Sequence, residues 1–466
     1  MEKQGIEHIG QEKRHGSPFS TFTLWFAANL TIADYALGSL FFGLPFSSIA
    51  IAVVIGNVLG GLLLGLMAAM GPTFGYPQMM ISRAVMGRRG NVPFALANWV
   101  STVGWFTVNI VLGGYALELA LGLPFYLAAG IMVVTDVVLA TYGHDIIHLF
   151  EKVMSVVLAV MFAAVTFIAY DKVGASFSSY AASASFNLYF WALVVAAIFS
   201  YLMSWSPYAS DYSRYLPRDT SKWKVVAFTT AGGAIASAWL ELIGFFVYVG
   251  ASNPHLNSIA ALASISGGYS VFALLAVVLG AVAADALNLY TNSLSALVLY
   301  KRAGRVQTVL LAGVVGFFLA LAGSSNFGTF YQNFLLTLDY WITPWIGVML
   351  GAFYVRMVRS GAEDVLPYLK AGLASYAVGL IVSAPFMNLS SYGINYVGPV
   401  ANLLEGADVS YFVAFAAALV AYLVMVRRRS PSAAKGMILD SGENLRPPLG
   451  ILAGEEGAIL LQGDHK

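Results

Sequence analysis

Trp105 and Asn109, in an apolar stretch of the sequence, could together bind a flat polar ring. They lie four positions apart, which puts them on one face of a helix. An indole can stack on the face of a planar heteroaromatic ligand while an amide hydrogen-bonds its edge. The alternative is that Trp105 faces lipid or a membrane interface, because aromatic residues make up 14% of the chain and most of them must do so.

A second candidate is the segment 203–215, which reads MSWSPYASDYSRY and follows a strongly apolar run. Its proline removes a backbone donor, and its serines offer the freed backbone groups other partners. We therefore predict a helix that breaks inside the bilayer. Such breaks mark the substrate site in transporters, so we expect Ser204 and Trp205 to line a pocket. Asp211 and Arg214, three positions apart near the inner end of this helix, could form an ion pair that closes the inner side, or could be a solvated pair whose only role is in topology.

Oxygen-bearing side chains recur in a third apolar stretch. Asn288, Thr291 and Asn292 fall on one helix face, and hard cations such as Na⁺ prefer oxygen ligands. The alternative role is interhelical hydrogen bonding, which Asn and Thr commonly supply in bundles. Asp285 favours a functional role, because an acid at membrane depth is energetically expensive. We therefore expect this group of residues to bind or couple a cation.

The first apolar stretch is interrupted in a similar way, by polar residues and glycine between Asn29 and Gly38. Unwound backbone there, at Asn29 and Ala33, could complete the shell of a cation. The two interrupted stretches lie five spans apart. They indicate an internal repeat of five helices, and an odd repeat length must be inverted across the membrane.

Other acids also lie in apolar stretches. We expect Glu118 and Asp136 to be structural, near span ends or helix contacts. The remaining three have no role that their spacing assigns: Asp34, Glu241 and Asp339.

The composition requires a membrane around these helices. Of 466 residues, 59% are hydrophobic and 10% are charged, whereas soluble proteins contain about 25% charged residues. We predict an all-α polytopic membrane protein. About twelve apolar stretches approach the roughly 20 residues that cross a bilayer. Their approximate ranges are 22–42, 47–70, 95–119, 123–140, 149–170, 190–210, 225–250, 269–289, 306–323, 331–353, 373–386 and 411–425.

The distribution of Lys and Arg predicts how these spans are oriented. With the N-terminus inside, Lys172 is the only one of the 24 Lys and Arg residues assigned to an outer loop, as the positive-inside rule requires. Both termini are then cytoplasmic, and the protein lies in the cell membrane. The predicted organisation is a tail at 1–21, five-helix repeats at 22–170 and 190–353, two further helices at 373–425 and a tail at 426–466.

Several function classes are disfavoured. The sequence contains no Walker A loop and no dinucleotide-binding glycine motif, so we expect neither an enzyme nor ATP-driven transport, and no cofactor. The absence of cysteine excludes disulfides and thiolate metal sites. The tails are too short for a catalytic or signalling domain. We expect no nucleic-acid partner and no obligate protein partner.

Three segments together resemble the nucleobase:cation symporter-1 family, which includes permeases for cytosine, purines, uracil, thiamine, allantoin and hydantoins. They are 205–215 (WSPYASDYSRY), Gly104-Trp105 with Asn109 four positions on, and 288–291 (NLYT). The sequence is most similar to the purine and cytosine permeases, whose sixth helix carries a similar Trp-x-x-Tyr-Ala-x-Asp-Tyr pattern.

The resemblance implies a leucine-transporter-type fold of two inverted five-helix repeats plus two extra helices, working by alternating access. It also implies that aromatic residues of helices three and six hold the substrate ring while amides of helices three and eight read its edge. The implied stacking residues are Trp105 and Trp205, and the implied amides are Asn109 and Asn288.

The resemblance leaves the coupling ion open. The family's sodium site uses backbone of the first helix and hydroxyls of the eighth. Thr291 matches one hydroxyl, but Asn292 stands where sodium-coupled members often have a second Ser or Thr. Asp285 is an alternative proton carrier. We therefore expect a symporter that imports a nucleobase such as cytosine or a purine with Na⁺ or H⁺. The alternatives are the same fold carrying allantoin, a hydantoin, thiamine or a pyridoxine-like vitamin, and a passive solute facilitator.

Overall fold

The computed structural model describes residues 5–427 except 143, 252, 254, 255, 303 and 356–368. The predicted tail at 426–466 lies outside the described residues from 428 onward. The described chain is almost entirely helical. Its α-helices, in chain order, are α1 Phe19–Asn29, α2 Ile32–Gly38, α3 Phe46–Ala68, α4 Met70–Phe74, α5 Gln78–Met86, α6 Val92–Leu121, α7 Phe125–Tyr142, α8 His144–Lys172, α9 Gly174–Ser183, α10 Leu188–Met203, α11 Ala209–Ser213, α12 Lys222–Ala251, α13 Ser258–Ser266, α14 Ser270–Leu299, α15 Arg305–Gly323, α16 Phe327–Leu350, α17 Leu369–Ser383, α18 Pro399–Leu403 and α19 Ser410–Arg427.

Every predicted apolar stretch coincides with at least one of these helices, and the all-α membrane architecture is confirmed. The number twelve is not established by length and composition, because the halves of the broken first span and several later helices fall short of the roughly 20 residues needed. Within the described residues, the segments long and apolar enough to cross a membrane are Phe46–Phe74, Val92–Leu121, Lys152–Lys172, Leu188–Ser213, Lys222–Ala251, Ser258–Leu299 and Arg305–Tyr354. The shorter apolar segments are Ile32–Phe41, Phe125–Thr141, Ala371–Phe386 and Ser410–Val426.

The first span is broken between α1 and α2. Leu30 leaves the helical conformation, with φ −81° and ψ 57°, and Thr31 is extended. Thr31 then caps α2, its Oγ1 accepting from the backbone N–H of Asp34 at 3.5 Å. A hydroxyl that offers the backbone a local partner favours the start of a new helix at this point.

The sixth span is broken at the end of α10. A 3₁₀ turn at Ser206–Tyr208 follows, with Pro207 in its first turn, and α11 then resumes the helix. The Ser204 hydroxyl donates to the carbonyl of Tyr201 at 2.6 Å. It thereby satisfies one of the carbonyl groups that lose helical partners at a helix end.

The predicted N-terminal tail contains a segment, residues 5–16, that packs against the helix ends. Arg14 Nη1 donates to the carbonyl of Pro72 at 2.6 Å. The backbone N–H of His15 donates to the carbonyl of Tyr215 at 2.7 Å. This N-terminal segment therefore joins the end of α4 to the end of α11.

Candidate functional site

The two broken helices meet at their breaks. The indole N–H of Trp205 donates to the side-chain oxygen of Asn29 at 3.1 Å. The hydroxyls of Thr31 and Tyr201 hydrogen-bond at 2.9 Å. All four side chains are buried, so the discontinuous backbone is enclosed by protein, as intramembrane breaks require.

A polar cluster joins α6 to α14 beside these breaks. Asp285 Oδ1 accepts from Asn109 Nδ2 at 2.9 Å and from Asn288 Nδ2 at 3.3 Å. The hydroxyl of Tyr208, in the turn after α10, donates to Asn288 Oδ1 at 3.4 Å. The Tyr208 ring meets the Trp205 ring edge-on, with centroids 5.3 Å apart. Hydrogen bonds thus join Asn109, Asp285 and Asn288, and Tyr208 links this group to Trp205.

Trp105 lies one helical turn from Asn109 on the same face of α6. Its ring meets Tyr201 and Phe334 edge-on, with centroids 5.1 and 5.2 Å apart. The side chain is 4% exposed and therefore faces protein, not lipid. The central cluster is defined as Trp105, Asn109, Trp205, Tyr208, Asp285 and Asn288.

Three buried polar atoms of the central cluster have no hydrogen-bond partner: Trp105 Nε1, Asn109 Oδ1 and Asp285 Oδ2. An unsatisfied buried polar group costs about 1–3 kcal/mol. Groups of this kind in a native fold call for a specific reason, such as a ligand that completes their bonding. One donor and two acceptors on neighbouring side chains can read the edge of a small heterocycle that carries both N–H groups and acceptor atoms.

The central cluster is closed in this structure, and its two tryptophans do not contact each other. Trp105 packs against Tyr201, whereas Trp205 meets Trp25 edge-on, with centroids 5.4 Å apart. A planar ligand held between the two indoles would have to displace some of these edge-on contacts. The hydroxyl of Ser204 is bonded to a carbonyl of its own helix and is not directed to the cluster.

The predicted cation ligands are engaged with protein partners. The carbonyl of Ala33 accepts from the hydroxyl of Tyr331 at 3.0 Å. Thr291 Oγ1 donates to Asp211 Oδ2 at 2.9 Å. Asn29, as described above, accepts from an indole. The structure thus shows no common point at which these predicted ligands converge.

On α14, the residue that packs against the break of the first span is Gly280. A Cβ atom at Gly280 would lie 2.9 Å from the carbonyl oxygen of Leu30. Thr291 lies about 16 Å further along α14, at about 1.5 Å per residue. Asn292 instead donates to Thr102 Oγ1 at 2.9 Å. The structure therefore places Thr291 and Asn292 away from the unwound carbonyls of the first span.

Asp136 in α7, predicted from the sequence to be structural, is instead a functional candidate. It is fully buried and lies near enough to Asp285 for the two carboxyl groups to interact electrostatically. Neither of its oxygens has a hydrogen-bond partner. In the sequence Asp136 is recognisable only as an acid in an apolar helix. The packing of the helices is needed to show that it faces Asp285. Asp136 and Asp285 are termed the central pair.

Tyr208 is the other residue of the site that the sequence analysis did not single out. Its position three residues after Trp205, in a segment already marked by Pro207, was the available signal. The 3₁₀ turn directs its hydroxyl to Asn288, and that direction could not be read from helical spacing.

Asp211 and Arg214 neither pair with each other nor face solvent. Asp211 accepts from the backbone N–H of Gln78 at 2.8 Å. Arg214 is fully buried and donates to the carbonyl of Gly5 at 3.0 Å and to the hydroxyl of Tyr290 at 3.2 Å. Arg214 thus ties the N-terminal segment to α14 at this end of the bundle.

Comparison with known proteins identifies the family. A family model described as permease for cytosine/purines, uracil, thiamine, allantoin matches residues 8–414. The chain belongs to this permease family. YxlA of Bacillus subtilis is 29% identical over 451 residues, covering 92% of this chain and 96% of the relative. The purine-cytosine permease fcyB of Emericella nidulans is 26% identical over 458 residues, covering 91% and 88%. The resemblance inferred from the sequence segments is therefore confirmed.

The fold of this permease matches that of Mhp1, described as a nucleobase-cation-symport-1 family transporter. The closed form of Mhp1 with bromovinylhydantoin bound gives a TM-score of 0.73 at 18% identity, covering 91% of this chain and 95% of Mhp1. The predicted leucine-transporter-type fold is confirmed at this level. The permease is accordingly an integral membrane protein.

Proposed function

We propose that this permease imports a nucleobase, such as cytosine or a purine, by cation symport with alternating access. The observation that carries the proposal is the central cluster, where one donor and two acceptors remain unpartnered and buried beside two tryptophans and two helix breaks. Broken intramembrane helices of this kind form substrate sites in transporters. The relative fcyB, a purine-cytosine permease, supports the same class of cargo.

In this proposal Trp105 and Trp205 stack on the nucleobase. Stacking of one base on one aromatic side chain contributes about 1–3 kcal/mol in nucleic-acid-binding proteins. Asn109 and Asn288 read the edge of the ring. Asp285 holds both amide groups in position, since its Oδ1 accepts from each of them.

H⁺ fits the geometry better than Na⁺ as the coupling ion. Carboxyl groups can carry a proton, and the bundle contains several buried acids that have an oxygen without a hydrogen-bond partner, among them Asp34, Glu241 and Asp285. By contrast, two of the predicted sodium ligands, Thr291 and Asn292, lie away from the unwound carbonyls of the first span. The full set predicted to bind or couple a cation is Asn29, Ala33, Asp285, Asn288, Thr291 and Asn292.

The proposed orientation places both termini in the cytoplasm of the cell. It rests on the positive-inside distribution, in which Lys172 is the only Lys or Arg assigned to an outer loop. The N-terminal segment and Arg214 then close the cytoplasmic end of the bundle.

Uptake of radiolabelled cytosine and hypoxanthine into proteoliposomes tests this function. Trp105→Ala and Trp205→Ala are each expected to lower uptake about tenfold or more, because each removes a stacking contact of about 2 kcal/mol, the middle of the range for one base on one aromatic side chain, and about 1.4 kcal/mol already corresponds to tenfold. Trp223→Ala is the matched control, since Trp223 is 66% exposed and outside the central cluster. Near-wild-type uptake by both cluster variants would contradict the stacking arrangement.

The second candidate is the same fold carrying allantoin, a hydantoin, thiamine or a pyridoxine-like vitamin. The family description names thiamine and allantoin beside the nucleobases, and the free donor and acceptors of the central cluster suit other small polar rings. Competition of each compound against radiolabelled cytosine or hypoxanthine distinguishes these cargoes. A passive facilitator would show no accumulation against a gradient, and ionophores would leave its uptake unchanged.

A further inference from the structure

A second pair of buried acids lies where α2 crosses α12. The two backbones touch at this crossing: a Cβ atom at Gly38 would lie 2.0 Å from the carbonyl oxygen of Glu241, and one at Gly244 would lie 1.9 Å from that of Tyr35. Asp34 precedes Gly38 by one helical turn, and Glu241 precedes Gly244 by about one turn. The crossing therefore holds both acids at one place in the bundle.

Each acid has a single side-chain donor. Ser237 Oγ donates to Asp34 Oδ2 at 2.9 Å, and Asn57 Nδ2 donates to Glu241 Oε2 at 2.7 Å. Ser237 and Glu241 lie one turn apart on the same face of α12. Asp34 and Glu241 therefore face the same narrow space, and they are termed the crossing pair.

The crossing pair is fully buried, and no Lys, Arg or His among the described residues contacts it. The titratable groups that face it are the hydroxyls of Tyr201 from α10 and Tyr331 from α16. One oxygen of each acid, Asp34 Oδ1 and Glu241 Oε1, has no hydrogen-bond partner. Asp34 and Glu241 lie within electrostatic range of each other, and no counter-ion offsets their repulsion, so a proton bound by either acid stabilises the pair.

The crossing pair is connected to the central cluster through Tyr201. The Tyr201 hydroxyl bonds to Thr31 at the break of the first span, and it lies close enough to Asp34 to interact with its carboxyl group electrostatically. Its ring contacts Trp105 edge-on. A change in the charge of Asp34 therefore acts on a residue that also packs against a proposed stacking residue.

We propose that Asp34 and Glu241 form a proton-binding site that couples the pH gradient to solute uptake; this rests on the proposed function as a nucleobase symporter. A proton from water on the outer side adds to a carboxylate oxygen of the crossing pair. The same O–H bond breaks on the inner side, and the proton returns to water. The pair thus carries one exchangeable proton per transport cycle, separately from the central pair at the substrate.

Proteoliposomes that contain the purified full-length permease test this assignment. Under an inward pH gradient without Na⁺, Asp34→Asn and Glu241→Gln are each expected to lower accumulation of radiolabelled cytosine or hypoxanthine at least about tenfold, because coupling is lost. Exchange of labelled for unlabelled nucleobase at equal pH is expected to stay within about threefold of wild type, because it needs no net proton movement. Glu118→Gln, which removes a partly exposed acid outside both pairs, is the matched control and should leave both activities unchanged.

Three outcomes would overturn the assignment. Undiminished pH-driven accumulation in both amide variants would show that the pair carries no coupling proton. Accumulation by the wild type only under a Na⁺ gradient would exclude proton coupling. Loss of exchange as well as accumulation in both variants, with normal nucleobase binding in equilibrium dialysis, would show that the acids are needed for conformational change itself.

A conservative variant shows whether a loss of accumulation comes from the missing carboxyl group or from misfolding. Glu241→Asp keeps the carboxyl group and is expected to retain pH-driven accumulation, whereas Glu241→Gln is not. Equal loss of accumulation in the two variants would contradict a proton-binding role. Failure of the underlying function gives a different result, because the wild-type protein would then neither accumulate nor exchange any nucleobase.

Discussion

The central pair and the crossing pair are both buried carboxyl pairs, yet the donors that hold them come from different parts of the permease. The donors to Asp285 in the central pair are the amides of Asn109 and Asn288. These amides are the groups proposed to read the substrate. An acid bonded in this way positions the binding groups directly.

The crossing pair is held by residues with no connection to the substrate-reading amides. Its donors are Ser237 of α12 and Asn57 of α3, two helices that pack against each other. Its link to the central cluster runs through Tyr201. Two chemically similar acid pairs can therefore have different roles, with the central pair acting on substrate affinity and the crossing pair on energy coupling.

The largest expected effect concerns substrate affinity at the central pair. Asp285→Ala removes the acceptor that orients Asn109 and Asn288, and nucleobase affinity should fall about 10- to 100-fold, since the hydrogen bonds from these two amides to the ligand contribute about 0.5–1.5 kcal/mol each. Asp34→Asn should change the affinity less than about threefold, because its acid does not touch these amides. Equilibrium dialysis with radiolabelled cytosine or hypoxanthine measures both. Equal losses of affinity would show that the two pairs do not divide their work.

A smaller effect is expected on the stability of the crossing. Gly38→Ala places a methyl group against the carbonyl of Glu241, and overpacking of this kind typically costs about 1–3 kcal/mol. The apparent Tm of the detergent-purified protein should therefore fall. Gly174→Ala is the matched control, because nothing lies within 4 Å of a Cβ atom at that helical position. An unchanged Tm for Gly38→Ala would mean that α2 can shift on α12, and that the crossing does not hold the acids together.

The smallest expected effect is a pH dependence in how the N-terminal segment docks. It arises at His8, outside the membrane, and is independent of the two buried acid pairs. Burial, and then the nearby Arg14 cation, hold the pKa of His8 below its ordinary value of 6.5. Arg14 Nη2 lies 3.3 Å from His8 Nε2, which accepts this hydrogen bond only when unprotonated. Protonated His8 is therefore disfavoured in the docked N-terminal segment, so docking is strongest above pH 6.5 and weakens as pH falls below it.

Amide hydrogen exchange of Ile9 and His15, whose N–H groups bond to the body of the permease, measures this docking. After correction for the intrinsic pH dependence, exchange protection should fall about two- to threefold between about pH 7.5 and about pH 5.5. His8→Gln keeps a side-chain acceptor but does not titrate, so its protection should not change with pH. Equal pH dependence in wild type and His8→Gln would assign the response to other groups.

Local chemistry made part of this molecule predictable. Pro207 and its neighbouring serines disfavour a continuous helix whatever surrounds them, and the sixth span breaks there. Trp105 and Asn109 share a face because helical periodicity requires it. The membrane class follows from composition alone, since so apolar a chain must bury its surface in lipid.

Contacts between distant parts of the chain could not be predicted in the same way. Asn109 and Asp285 are 176 positions apart, and no local pattern states that their side chains meet. Arg214 could equally have paired with Asp211, three positions away, but the bundle directs it to the N-terminal segment.

The helices, their two interruptions and the residue types available for binding a polar ring and a cation follow from the amino-acid sequence, because these depend on nearest neighbours and on transfer to lipid. Which acids face each other, at the central pair and at the crossing pair, depends instead on how the helices pack. A buried carboxyl group is stabilised or destabilised by the donors and charges around it, and here those come from helices far apart in the chain.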